Sequence, residues 1–462
     1  MKRQREHWGS RLGFIMAAAG SAIGLGTLWK FPYMTGQNGG GLFVLTYLLC
    51  TFVIGIPVFV AELMLGRKAQ RGAVGIFMSL ANHSPIWKLA GWLGVIVSFL
   101  IISYYSVVAG WGLNYVLMSL NKFYVNRSAE EIYGVFDLLH KSGDICMLWH
   151  FIFMAITVAV VLQGVRKGIE FWSRIMTSGL LVLFVGLFIY ATTLDGFGRA
   201  VHFIFYPDFS KFTLTGALEA LGLSFFTLSL GQGIMLTYGS YMKSTEDIPQ
   251  TALIVGGMDI AVSLLSALMI FPIIFTFGFE PAQGTGLVFQ TLPVLFARLP
   301  GALIISTLFF TLFVFTALTS AVALVEVVVA NFIDLFDWSR RKATLIVGIA
   351  AFVVGIPSAL SGSQGIFVHW KEIYGIDFFG TVNVLVDQWL LPLSGFMVAV
   401  FMGWVLPRDA AYKEFMSGTK LRFLFWPWMF LTRWVAPLAI IIIILGQLDV
   451  IRLDIFSWAP AE

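Results

Sequence analysis

Long apolar runs separated by short polar breaks dominate the chain. Runs of the length a helix needs to cross hydrocarbon, about 20 residues for about 30 Å, fall near 12–35, 41–65, 89–120, 146–163, 172–193, 214–238, 251–279, 301–333, 343–360, 378–406 and 424–446. These eleven runs predict an all-α integral membrane protein with eleven transmembrane helices. The first follows a basic start, Met1 to Arg5, yet it is too long for a removable leader and contains Lys30.

Composition agrees. Of 462 residues, 58% are hydrophobic and only 12% charged, too few charges to cover a water-exposed surface of that size. Mean hydropathy is +0.87. A net charge of +4 gives no reason to expect nucleic acid as a partner. Two cysteines provide neither a disulfide framework nor a metal cluster. The six histidines fall mostly at loops or span ends without metal-ligand spacing, which points to interfacial roles and away from a membrane enzyme. A channel would need a continuous polar stripe, whereas the polar groups gather at mid-depth of a few spans.

Lysine and arginine set the expected orientation. With a cytoplasmic N-terminus, nineteen fall in inner segments, eight in outer segments, and Lys30 and Arg433 within or at the ends of spans. An odd span count then places the tail from Asp449 outside. The longer outer stretches, 121–144, 195–213 and 280–300, are candidate lids or gates.

Two spans have unusual interiors. The first carries Gly20, Gly24 and Gly26 within Ala17 to Thr27, and the sixth carries Gly231 and Gly233 around Gln232. Glycine costs a helix about 1 kcal/mol against alanine. One explanation is close helix packing through small residues; the other is unwinding at the midplane, which frees carbonyls for cations and amides for an anionic group. Placement favours unwinding. Spans one and six each open a set of five, and an odd number per set makes the second set enter from the opposite side. The predicted organisation is a first inverted repeat over 1–195, a second over 196–406, and an eleventh helix with a short extracellular tail over 407–462.

These residues resemble the neurotransmitter:sodium symporters, in particular their bacterial amino-acid transporters. The resemblance rests on Arg5-Glu6-His7-Trp8, Ala22-Ile23-Gly24-Leu25-Gly26, Asn38-Gly39-Gly40-Gly41, Glu62, Tyr104-Tyr105, Phe226-Thr227-Leu228-Ser229-Leu230-Gly231 and Leu318-Thr319-Ser320, in this order over nearly the whole chain. It implies a LeuT-like fold, a 5+5 inverted repeat with helices 1 and 6 broken, that works by alternating access. The twelfth helix usual in the family is missing.

The resemblance also implies two sodium ions. One would take the carbonyls of Gly20, Ile23 and Thr316 and the hydroxyls of Thr319 and Ser320. Read alone, those two hydroxyls could simply bond back to the preceding helical turn. The other ion would meet the Ala22 carbonyl, Thr27, Thr227, the substrate carboxylate and Asp259, where Thr27 and Asp259 each stand in place of the family's asparagine. A charge buried in a span calls for a functional partner. Ionised Asp259 is therefore expected to bind sodium; the competing reading is a protonated, structural or proton-exchanging carboxyl. Chloride is not expected, because Leu223 stands where chloride-assisted relatives carry glutamine, although Ser263 is available one turn beyond Asp259.

By the same resemblance, an amino-acid carboxylate would meet the Leu25 and Gly26 amides and the Tyr105 hydroxyl, and its ammonium would meet carbonyls near Ala22 and Phe226 together with Ser229. Ile101, Phe226, Gln232, Ser320 and Leu324 would form the side-chain pocket. Mainly apolar walls favour a neutral, hydrophobic substrate, with Gln232 a departure. Arg5 and Asp334, with Trp8, Ser240 and Tyr241, match an inner gate; Lys30 replaces the usual outer arginine, with Asn383, Asp377 or Asp387 as its partner. The functional expectation is a sodium-coupled symporter of a neutral amino acid; a non-transporting sensor on the same fold is the alternative. Substrate identity and oligomeric state are not legible.

Overall fold

The computed structural model of the chain describes residues 5–81, 84–279, 285–363, 367 and 369–448. The basic start at 1–4, His83, the 280–284 part of one expected lid and the tail from Asp449 lie outside them. The described residues are mainly helical, with no strand among them.

The crossing elements follow the apolar runs. They are α1 (Arg11–Ala22) and α2 (Gly26–Gln37), α3 (Gly41–Ala69), α4 (Pro85–Leu120), α5 (Gly143–Leu162), α6 (Val165–Ala191), α7 (Leu214–Thr227) and α8 (Ile234–Gly239), α9 (Ile248–Thr276), α10 (Ala302–Phe336), α11 (Arg340–Ala359), α12 (Phe378–Val405) and α13 (Arg422–Gln447). Nine of the described helices are long and apolar enough to cross a membrane, and α1 with α2 make a tenth as one span bent by 48°. The run at 214–238 is divided in the structure. Its first half, α7, is a shorter apolar helix, and α8 follows after a six-residue non-helical stretch, 228–233. Neither half alone has the about 20 residues a bilayer needs.

Burial separates the centre from the rim. The most apolar window of α10 is 89% buried and that of α4 78%, against 33% for α6. α4 and α10 pack along each other, and α1 lies against α6, α9 and α10. The rim helices are apolar all round, because lipid replaces water as their outer solvent and leaves little reason for a polar face. His150 differs from the interfacial placement expected of the histidines. It is fully buried on α5, with Nδ1 2.9 Å from the Ser106 hydroxyl and Nε2 3.0 Å from the Phe352 carbonyl. Both ring nitrogens find partners, and so the ring can sit inside the bundle.

Candidate functional site

The first break lies at Ile23 and Gly24. Ile23 leaves the helical region at φ −74°, ψ 75°, and Gly24 donates its amide to the Ala22 carbonyl (2.8 Å) rather than a full turn back. The second break runs from Leu228 to Gly233 and alternates left-handed residues: Ser229 at φ 55°, Gly231 at 70° and Gly233 at 73°. Glycine takes that conformation without the Cβ penalty. Gly231 also has no room for a side chain, since a Cβ there would stand 2.6 Å from the Leu391 carbonyl oxygen. Ser229 accepts the strain with its hydroxyl tied to the Ser21 carbonyl at 2.9 Å.

The two breaks face each other. Ser21 receives a second hydroxyl, Ser320 Oγ at 3.0 Å, so one carbonyl of α1 joins α10 to the broken stretch after α7. The Leu25 amide at the start of α2 donates to Tyr105 Oη at 3.2 Å. A Cβ on Gly24 would lie 2.8 Å from Ser320 Oγ and 3.5 Å from Tyr105 Oη, and one on Gly26 would meet the Phe226 ring at 2.6 Å. Bare backbone thus approaches three polar or aromatic side chains. Phe226 is half-buried; Ile101, Gln232 and Leu324 are buried. Ser98 donates its hydroxyl to the Gln232 carbonyl.

A second polar cluster adjoins the first. Thr27 Oγ1 lies 3.0 Å from Asp259 Oδ1 and 3.4 Å from the Ala22 carbonyl. Tyr47 Oη lies 2.9 Å from Asp259 Oδ2, 2.9 Å from Thr227 Oγ1 and 3.3 Å from Ser263 Oγ. Asp259 is fully buried, with no basic side chain among its hydrogen-bond partners in the described residues. On the other flank, α1 and α10 meet at Gly20, where a Cβ would come within 3.2 Å of Thr319. Thr319 Oγ1 donates to the Thr316 carbonyl at 3.0 Å, and Ser320 lies 3.4 Å from the same oxygen. The bond to the preceding turn is therefore real for Thr319, while Ser320 reaches across to α1.

The side of the N-terminus is sealed. Arg5 forms an ion pair with Asp334 and donates to Ser240 Oγ at 2.6 Å. Trp8 is buried, with Nε1 on the Tyr238 carbonyl at 3.0 Å and its ring edge-on to Tyr241 at 6.0 Å. The opposite side holds a cavity of about 1730 Å³ that reaches Leu25, Tyr105 and Phe226. In its wall Lys30 forms an ion pair with Asp387 and sits 3.9 Å from the centroid of the Phe226 ring. Of the three residues left open as partners of Lys30, Asp387 takes the place; Asn383 also lines the cavity, and Asp377 caps its own helix through Gly380 N at 2.7 Å. At the rim, burial pushes the His140 imidazole below its ordinary value, opposed by Asp377 and Asp137.

Comparison with known proteins decides what this architecture belongs to. The family model described as the Sodium:neurotransmitter symporter family matches residues 5–133 and 122–457. The chain belongs to that family. It is similar to the Bacillus subtilis (strain 168) protein named "Uncharacterized sodium-dependent transporter YhdH", 38% identical over 445 residues, which span 96% of this chain and 98% of that one. An uncharacterized sodium-dependent transporter of Haemophilus influenzae is 32% identical over 457 residues, 96% of this chain and 99% of the other. Among solved structures, MhsT in complex with L-phenylalanine is 40% identical, with a TM-score of 0.87, and covers 96% of this chain and 100% of its own. The protein is thus a multi-pass, sodium-coupled membrane transporter with the LeuT-like fold, and not an enzyme.

In this symporter, several residues of the centre escaped the reading of the sequence. Tyr47 reads as one more aromatic of an apolar run, yet its hydroxyl joins α3 to Asp259 and Thr227. Glu62 stands out in the sequence only through the resemblance; its Oε1 accepts the Gly231 amide at 2.8 Å and so holds the second break from α3. Ser21 and Ser98 carry no signal beyond being small polar residues near a break. Glu326 is fully buried between the Tyr241 hydroxyl (2.5 Å) and Arg340 (2.8 Å), behind the sealed side of the symporter.

Proposed function

We propose that the protein is a symporter that carries a neutral, hydrophobic amino acid inward with two sodium ions by alternating access. The observation that carries this reading is the meeting of two broken helices in one polar centre beside Asp259. Under it, the N-terminus is cytoplasmic and eleven spans cross the membrane. Residues 1–195 and 196–406 are inverted repeats, and 407–462 supply the last helix and an extracellular tail.

The substrate carboxylate is received by the Leu25 and Gly26 amides, where a helix start favours an anion, and by Tyr105 Oη, which already bonds the Leu25 amide. Its ammonium meets the carbonyls near Ala22 and Phe226 and the oxygen of Ser229. Ile101, Phe226, Gln232, Ser320 and Leu324 surround the side chain. The complex of MhsT with L-phenylalanine, in a neighbour 40% identical, supports an amino acid and a pocket that takes an aromatic one.

One sodium is held by the carbonyls of Gly20, Ile23 and Thr316 and the hydroxyls of Thr319 and Ser320. A hydroxyl that donates its proton to a carbonyl keeps its lone pairs for a cation, so the bonds of Thr319 and Ser320 leave both able to serve as ligands. The other sodium is held by the Ala22 carbonyl, Thr27, Thr227, Asp259 and the substrate carboxylate. Asp259 accepts hydroxyl bonds on both oxygens, which suits the ionised form. That charge supplies the anion chloride would bring, and Leu223 offers an anion no donor, so transport is chloride-independent.

The driving force is sufficient. Each sodium yields about 2.3 kcal/mol per 100 mV, and a tenfold gradient adds about 1.4 kcal/mol. Two ions give about 7 kcal/mol, against about 2.7 for hundredfold accumulation. Arg5 with Asp334, and Trp8, Ser240 and Tyr241 around them, form the inner gate; Lys30 with Asp387 forms the outer one.

The decisive experiment is uptake into proteoliposomes under an inward sodium gradient, with the twenty amino acids as competitors against radiolabelled L-phenylalanine. Accumulation that needs sodium, is competed by hydrophobic amino acids and survives chloride replacement is expected. Saturable binding without accumulation would favour a sensor.

A further inference from the structure

A second cavity, of about 670 Å³, opens on the side opposite the N-terminus, beside the loop that ends α2. The Arg199 guanidinium, the Lys211 ammonium and the His202 imidazole line it over the rings of Phe203 and Phe275, and no carboxylate is among the described lining residues. Arg199 lies over the Phe275 ring, 5.0 Å from its centroid. Phe203 packs edge-on against Phe271 and Phe275 at 5.0 and 5.6 Å, which fixes the apolar floor.

Lys211 is seated by the backbone. Its stem crosses Gly39, where a Cβ would stand 2.7 Å from Lys211 Cδ, and Gly39 holds φ 78°. Asp208 Oδ2 approaches Lys211 Nζ only at 4.0 Å, an exposed i,i+3 pair, while Asp208 Oδ1 accepts the Ser210 hydroxyl at 2.6 Å. Two basic side chains therefore face a cavity with little of their charge answered from within the chain.

The surroundings set the depth. The short helix Phe197–Phe205 joins the end of α6 to the start of α7, buries Ala200 and Ile204, and packs on α9. Phe205, Tyr206, Phe209 and Phe212 are exposed around it. Aromatic rings left bare at the ends of membrane helices occupy the level of the headgroups, where Arg and Lys pair with a lipid phosphate through charge-assisted hydrogen bonds. A small soluble anion would use the two cations but not the apolar floor or the aromatic rim.

We propose that this cavity binds the phosphate of an anionic phospholipid from the leaflet opposite the N-terminus, with Arg199 and Lys211 on the phosphate oxygens, His202 at its edge, and the acyl chains against Phe205, Phe209 and Phe212. The cavity meets the larger one at Gln37, but none of the proposed substrate or sodium residues lines it, so binding there does not require those sites.

The test is native mass spectrometry of the full chain titrated with phosphatidylglycerol or phosphatidylcholine. The double variant Arg199→Gln, Lys211→Gln should lose affinity for its tightest phosphatidylglycerol about thirtyfold, at about fivefold for each basic residue removed, and bind phosphatidylcholine unchanged. Sodium-dependent uptake by the variant in phosphatidylcholine vesicles confirms that it folds. Equal phosphatidylglycerol retention by both proteins overturns the proposal. Displacement of the lipid by millimolar inorganic phosphate also overturns it, by assigning the cavity to a soluble anion.

Discussion

The Tyr47 hydroxyl donates to one carboxylate oxygen of Asp259 at 2.9 Å while the Thr27 hydroxyl holds the other at 3.0 Å. Two donors from different helices thus fix the plane of a fully buried carboxylate. If this is the sodium site proposed above, a carboxylate fixed in place loses no further freedom when the ion arrives.

Asp259→Asn keeps the shape and removes the charge. It should raise the sodium concentration for half-maximal binding of labelled L-phenylalanine at least about tenfold, worth about 1.4 kcal/mol. Tyr47→Phe deletes one hydrogen bond to a charged group, worth about 1.5–3 kcal/mol, and should shift the same curve in the same direction. A sodium curve unmoved in Asp259→Asn would remove this carboxylate from the ion site.

Gly231→Ala places a Cβ against the Leu391 carbonyl and forces alanine into a left-handed conformation at φ 70°. The conformational part alone costs about 1–2 kcal/mol. A lower melting temperature of purified protein in detergent is expected, together with loss of binding. Ser229→Gly relieves the same kind of strain but loses the hydroxyl bond to the Ser21 carbonyl, so its melting temperature should fall much less than that of Gly231→Ala. A Gly231→Ala protein as stable as the parent would contradict the geometry of the second break.

Arg5→Ala breaks the pair with Asp334 and the bond to Ser240. The pair is partly exposed, with side chains 13% and 23% accessible, so its direct worth is small, about 0–1 kcal/mol. The expected result is severalfold faster hydrogen exchange at Tyr238 to Met242, the segment that Trp8 covers, with the α4 and α10 core unchanged. Unchanged exchange there would show that Trp8 alone keeps that side shut.

His140 sits outside the spans, on the helix Ala129–Lys141, beside Trp111 and Phe136. Burial lowers its pKa below the ordinary 6.5, while Asp377 and Asp137 pull it up and Lys371 pushes it down. The folded chain therefore binds its proton less readily than the unfolded chain. The stability it contributes is complete above about pH 6.5 and is lost as pH falls towards the folded value. Melting temperature should drop as pH falls below about 6.5, with a smaller drop in His140→Phe. An identical slope in both proteins would assign the acid sensitivity elsewhere.

Apolar length and glycine clustering are local signals, and they made the long apolar helices and the two breaks legible in the sequence, whereas the residues of the polar centre were named only through the family resemblance. What the sequence hid depends on register. The partner of Lys30 was ambiguous because Asp387 lies in a π-helical stretch, Leu385–Leu390, whose wider turn rotates the following residues away from the faces that a regular helix would give them. Tyr47 was hidden differently: an aromatic in an apolar run looks like packing until the carboxylate facing its hydroxyl is known. The bundle also makes room for a buried histidine by satisfying both ring nitrogens, which no periodicity announces.

As the proposed outer gate, the pairing of Lys30 with Asp387 over the Phe226 ring would bear on how quickly cargo can escape. An ammonium is a compact, strongly hydrated charge with no planar fork, and water readily takes over its contacts. A latch of that chemistry turns on a single hinge pin instead of two, so dwell time behind it should depend more on ionic strength and on the grip of the aromatic ring than in a relative fastened by a guanidinium.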